Sequence, residues 1–198
     1  MRKGDATRAR IIEEALHQAS VRGFSAVSLN DVADAVDLSK SAVFKHFQSK
    51  EALQVALIDH LTTRFREKIW DPARPLAHGR PRLDVIFENW LGWVDGEHWR
   101  GGCPIMVAAI ELDDQPGPQR EFLKERLTAW AGIIRRELSA LRDPPLGDEE
   151  ADQAYFEFKS IIFGYHQSHR LLNDEQSRVQ AQKAYEAWCE RWARRAAA

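Results

Sequence analysis

Cysteine is scarce. Cys103 and Cys189 are the only two in 198 residues, too few for a disulfide framework or an all-cysteine zinc site and in keeping with a reducing compartment. Long apolar runs are missing as well. No stretch approaches the ~18 apolar residues of a membrane span, and Met1-Arg2-Lys3-Gly4-Asp5 leads into a charged helical pattern without the apolar core of a secretory signal. A cytoplasmic protein with no membrane partner is therefore expected. No Gly-rich phosphate loop, GxSxG elbow or HExxH motif occurs. The histidines show no ligand pattern beyond His166 and His169, an i,i+3 pair without companion ligands. These absences argue against an enzyme, a metal site and a cofactor. Large net charge is lacking too. Lys and Arg number 28 against 30 Asp and Glu, for a formal charge of −2, which argues against indiscriminate binding to polyanions.

What is present is unevenly spread. Residues 1–50 carry eight Lys/Arg and six Asp/Glu, whereas the remainder carries 20 and 24. All seven tryptophans lie at or beyond Trp70. A small, aromatic-poor N-terminal unit is thus followed by an aromatic-rich one. At 44% hydrophobic residues the chain can bury a sizeable core.

The periodicity is helical throughout, with no convincing period-2 alternation. Ile12, Leu16 and Ala19 form one stripe, and Gly23 is a plausible left-handed stop. Ser28 is expected to cap a short helix whose apolar face is Val32, Ala33 and Val36, with Asp37 breaking it and Leu38 pointing back to the core. Ser39 caps a third helix from Lys40 to about His46, anchored by Val43 and Phe47. Ser49 caps a fourth that runs through Leu53, Leu57 and Leu61 to about Trp70, where Asp71-Pro72 ends it. Further helices are expected over about 81–97, from Pro104 to near Leu112, after the 113–118 loop, over about 148–172 and over about 174–194.

Residues 28–47 form two short helices joined by a tight turn, the arrangement in which one helix bridges the DNA backbone and the next enters the major groove. Two successive helices open on the same pair, Ser39-Lys40 and Ser49-Lys50. A lysine in a first turn faces the positive end of the helix dipole at a cost of a few tenths of a kcal/mol, up to ~1; a bound phosphate removes that cost. Lys40, Ser41, Lys45 and His46 project away from the buried anchors, joined by Ala42 and Phe44, which suit a thymine methyl or the sugar-phosphate chain.

The run Leu29-Asn30-Asp31-Val32-Ala33-Asp34-Ala35-Val36-Asp37-Leu38-Ser39-Lys40-Ser41-Ala42-Val43-Phe44-Lys45-His46-Phe47-Gln48-Ser49-Lys50-Glu51-Ala52-Leu53 resembles the DNA-binding domain of the TetR family. Its specific part is Leu38 to Leu53, and Arg22-Gly23-Phe24 matches the family's turn after the first helix. The resemblance covers about residues 5–65. It departs from the pattern at Asp37, where glycine is usual, and at Phe44, where tyrosine is usual. The resemblance implies an all-α, homodimeric regulator: an N-terminal three-helix helix-turn-helix domain over 5–65 and a helical ligand-binding and dimerisation domain over 80–195. Its expected partners are double-stranded DNA with a near-palindromic operator and a small-molecule effector that releases a repressor. A ligand-independent regulator or activator is the alternative, and a helical enzyme or architectural dimer the competing class. By position, Ser28, Asn30, Ser39, Lys40, Phe44 and Lys50 would touch backbone, and Ser41, Ala42, Lys45 and His46 bases or adjacent phosphates.

In the C-terminal half, Trp90, Trp93, Cys103, Met106, Ile110, Phe122, Trp130, Phe158 and Phe163 are candidates for an apolar effector pocket, against the alternative that they simply fill a core. Glu111, His166 and Cys103 are the polar residues nearest these stripes, and a surface or structural role is expected for each ahead of ligand binding. Gly164, Tyr165, Trp188 and Trp192, on the last two helices, are candidates for a two-fold interface in a four-helix bundle, although the tryptophans could instead cover this chain's own core.

Overall fold

The computed structural model describes residues 3–96, 99 and 101–194. Among them are α1 (Lys3–Arg22), α2 (Leu29–Ala35), α3 (Lys40–His46), α4 (Lys50–Phe65), α5 (Arg80–Val94), α6 (Pro104–Glu111), α7 (Pro118–Ser139), α8 (Asp148–Arg170) and α9 (Ser177–Ala193), and no strand. The all-α class is as expected. The chain forms two compact units, Met1–Phe65 with Gly96–Arg126, and Arg66–Asp95 with Leu127–Ala198.

In the first unit the α1 stripe is wider than expected, Ile11 and Ala15 being buried beside Ile12, Leu16 and Ala19. It packs with Phe24, Val32, Val43, Phe47, Leu53 and Leu57 in one apolar core. Gly23 stops α1 at φ +90°, its N–H donating to Ala19 O at 2.9 Å. The α2–α3 turn is a Schellman motif built on an aspartate. Asp37 has φ +53°, its N–H donates to Asp34 O at 3.3 Å, and Leu38 N–H donates to Ala33 O at 3.0 Å. Aspartate tolerates this left-handed conformation better than most residues, so the turn keeps its geometry without glycine. Although α6 lies beyond residue 100, it packs on α1 and α4.

The second unit starts with a departure. The expected continuation of α4 to Trp70 is not α-helical: Arg66–Trp70 is a π-helical turn, and Asp71 N–H donates to Arg66 O at 2.9 Å. Helix α5 ends at Val94, and Glu97, its expected end, lies outside the described residues. Leu171 and Leu172, at the expected end of α8, are exposed. The helix stops at Arg170, and Asn173 at φ +53° turns the chain away. An aromatic cluster forms the core: Phe87 stacks on Tyr185 at 4.0 Å, Trp90 meets Trp130 edge-on at 5.7 Å, and Phe158 contacts Trp188 at 5.5 Å. Glu137, 1% exposed, accepts from His78 Nδ1 at 3.0 Å, Gly79 N–H at 3.2 Å and Arg82 Nη1 at 2.8 Å. Gly79 is at φ +85°, and a Cβ there would lie 2.6 Å from Ala140 O, so only glycine fits against the end of α7.

Candidate nucleic-acid interface

Three serines organise the helix starts. Ser28 Oγ accepts from Asp31 N–H at 3.0 Å, Ser39 Oγ from Ala42 N–H at 3.2 Å and Ser49 Oγ from Ala52 N–H at 3.1 Å. Ser39 and Ser41 hydroxyls are 3.0 Å apart. Capping itself occupies only a serine's acceptor side; the Ser49 hydroxyl also donates to the Glu51 carboxylate, whose pKa is lowered by its own backbone N–H and by this bond.

Val43 and Phe47 anchor α3 in the core. The opposite side carries Lys40, Ser41, Phe44 and Lys45, all exposed, with Ala42 and His46 half-buried at its edges. Asn30 is exposed at the start of α2. Phe44 is 47% exposed, although solvent penalises an aromatic ring. Lys50, half-buried at the start of α4, donates from Nζ to Ser25 O in the turn after α1. The ten residues singled out in sequence thus fall on α2, α3, the start of α4 and their caps.

The sequence reading missed α1. Exposed Arg8 places its guanidinium 5.0 Å over the Phe47 ring beside the end of α3, and Arg10 donates to Val36 O at the α2–α3 turn. Both come from a helix whose apolar stripe was evident; Arg8 lies in line with that stripe, one turn before Ile11 and Ile12, and only the fold brings it to Phe47. Glu111, expected in a surface or structural role ahead of ligand binding, accepts at Oε2 from Ser25 N–H at 3.0 Å.

The pocket candidates separate. Trp90, Trp93, Trp130 and Phe158 are buried side chains of the second unit, and Cys103, Met106, Ile110 and Phe122 belong to the first. Ile110 is 65% exposed and Phe163 is exposed on α8, so neither lines an interior. Phe122, half-buried, lies beneath the Arg126 guanidinium at 4.6 Å. His166 is half-buried, and burial together with nearby Arg170 and His169 pushes its pKa down.

Of the interface candidates, Trp188 is 3% exposed and packs into its own aromatic core. Tyr165 is buried with its hydroxyl on Asp95, and this burial and bond push its pKa up. Neither presents itself to a partner: the apolar stripe that marked them is the one that faces the chain's own core. Trp192, half-buried, donates from its indole N–H to Glu157 at 2.8 Å. Gly164 is exposed, with nothing within 4 Å of a Cβ placed on it. The α8 surface also carries Phe156, one heptad before Phe163 and missed in sequence. Burial pushes the Cys189 thiol up to about 11, which opposes redox sensing at that residue.

A capped helix-turn-helix with a basic, partly aromatic outer face defines a DNA-binding protein. Residues 11–57 match the family described as "Bacterial regulatory proteins, tetR family", and residues 79–185 match "Tetracyclin repressor-like, C-terminal domain". The chain belongs to the TetR family and is a DNA-binding transcriptional regulator. It is 26% identical over 161 residues to the uncharacterized HTH-type transcriptional regulator Rv1255c of Mycobacterium tuberculosis, covering 73% of this chain and 78% of that protein. A TetR transcriptional regulator from Chloroflexus aurantiacus superposes with a TM-score of 0.81 at 25% identity, over 96% of both chains. AibR, solved in complex with isovaleryl coenzyme A and operator DNA, superposes with a TM-score of 0.68 at 19% identity, over 81% of this chain and 85% of that one. No described helix is long and apolar enough to cross a membrane.

Proposed function

We propose that the protein is a cytoplasmic, homodimeric repressor that binds a near-palindromic operator and is released from it by a small apolar or aromatic effector. The observation that carries the DNA-reading assignment is the exposed side of α3, where Phe44 and three polar or basic side chains stand clear of the core. On this reading Lys45, His46, Ser41 and Ala42 meet base edges or adjacent phosphates, while Ser28, Asn30, Ser39, Lys40, Phe44 and Lys50 meet the backbone.

The dimer is supported by α8, where Phe156, Phe163 and Gly164 stay exposed on a helix whose other side is buried. Self-pairing across a two-fold axis covers these rings and permits close approach at Gly164. Binding of a small molecule is supported by the likeness to AibR, solved in complex with isovaleryl coenzyme A and operator DNA. The buried aromatic cluster of the second unit is the apolar surface on which such a molecule would draw.

Selection of duplexes from a randomised library tests the reading. The retained DNA is expected to contain two half-sites about 34–36 Å apart, or a small multiple of that, bound by two chains per duplex in sedimentation. A footprint on one half-site by a single chain would overturn it. Transcription of a reporter carrying the selected duplex separates repression from activation, and release of the duplex by members of a compound library tests effector control.

A further inference from the structure

The turn between α1 and α2 is pinned by side chains from two distant parts of the chain. From α4, Gln54 Nε2 donates to Phe24 O at 3.0 Å in a buried position, and Lys50 Nζ donates to Ser25 O. From the end of α6, Glu111 Oε2 accepts from Ser25 N–H at 3.0 Å. The same carboxylate closes down on Gly23: a Cβ there would lie 1.8 Å from Oε1. The Ser25 residue is thus gripped at both polar ends, its N–H by an anion and its C=O by a cation. The anion comes from the stretch that matches the family's C-terminal domain, and the cation is a predicted DNA contact.

We propose that Glu111 is a positioning residue for DNA binding. It holds Ser25 so that the Ser25 carbonyl fixes the Lys50 ammonium at the DNA-facing end of α4. This rests on the reading of Lys50 as a phosphate contact. A free lysine has many rotamers to lose when it meets a phosphate. One held by a carbonyl has already lost most of them, and an ammonium has three N–H groups, so two remain for phosphate oxygens. Charge-assisted acceptance by Glu111 is what keeps the carbonyl aimed, since an N–H···carboxylate bond is about twice as strong as a neutral one. Glu111 thereby ties α6 to the reading head by a polar contact, beside the apolar packing of α6 on α1 and α4.

The test is a double-mutant cycle in affinity for the selected duplex, using the full chain, with thermal melting as the check on folding. Glu111→Ala is expected to weaken binding about 5–150-fold for the two lysines of a dimer, and to have no effect when Lys50 is already alanine. Glu111→Gln, which still offers an oxygen to Ser25 N–H, is expected to stay within about 3-fold of the parent. Should the alanine variant not fold, Glu111→Met keeps the stem and removes the acceptor, and the same cycle applies. An equal loss in both backgrounds overturns the proposal, as does unaltered affinity in a folded Glu111→Ala protein. If Lys50→Ala alone leaves affinity and salt dependence unchanged, the Lys50 assignment fails. If Lys50→Ala weakens binding and Glu111 does not couple to it, only the positioning role fails.

Discussion

Replacing Lys50 by alanine isolates the electrostatic part of DNA binding. Lys50 starts α4, outside the helix proposed to read bases, and its ammonium is held by Ser25 O, so on the backbone assignment its loss should alter no base contact. Each neutralised phosphate contributes about 0.9 to the slope of log affinity against log salt. A dimer has two copies, so the slope is expected to become shallower by about 1.8. A fourfold rise in salt, from about 50 to about 200 mM, then narrows the gap between parent and variant by about 12-fold. Fluorescence anisotropy on the selected duplex and on a scrambled duplex, over four salt concentrations, measures this directly. The loss should be similar on both duplexes, whereas Lys45→Ala should change which bases are preferred. Parallel salt slopes for parent and Lys50→Ala, or a change of base preference in that variant, would refute the phosphate assignment.

Other outcomes follow from the fold. Asp37→Val puts a β-branched residue at φ +53° and should cost about 1–2 kcal/mol, lowering the melting temperature by about 2–8 °C for a chain of this size; an unchanged melt would mean the turn relaxes. Glu137→Ala removes the buried acceptor of Gly79 N–H and Arg82, which keeps Leu76 O and Arg74 O, and should cost about 1–3 kcal/mol in urea unfolding, while Glu137→Gln, which can still accept from Gly79 N–H, should cost less. Phe163→Asp places a charge on the exposed α8 face and should raise the dimer dissociation constant at least about 30-fold by loss of apolar burial in both copies; equal sedimentation of variant and parent would move the interface elsewhere.

The reading head was legible because its signals are local. A serine cap, a left-handed break and an anchor at i+3 all act within one turn of chain, so Ser39, Asp37 and Val43 carry their structural meaning wherever the rest of the chain goes. The C-terminal half was less so. A stripe at helical spacing says that a helix has an apolar side, not which partner covers it. Trp188 and Phe163 illustrate the ambiguity: both are aromatic residues at helical spacing, one sealed in its own core and the other left in solvent. The packing partner that separates them lies far along the chain, and no periodicity encodes it. Arg8 escaped notice for a related reason, since only the fold brings its guanidinium over Phe47.

Helix α6 shows how the two kinds of information combine. Its sequence, a proline start followed by an apolar run, foretold a short helix, and its position beyond residue 100 suggested membership of the C-terminal half. The contacts divide the chain differently: residues 96–126 join the unit that contains the DNA-reading helices, although the family's C-terminal match spans 79–185. Sequence families follow chain continuity, and compact units follow burial; the two differ where a segment leaves its neighbours in sequence to complete another core. Glu111 stands at that point. As a polar residue at the end of an apolar helix it suited a surface or structural role better than a pocket, and its acceptor oxygen faces Ser25 N–H. The donor that meets this carboxylate belongs to a turn whose Ser25 carbonyl also accepts from Lys50. If the double-mutant cycle bears out the positioning role, the chemistry of that one residue serves the coupling between α6 and the DNA-reading helices.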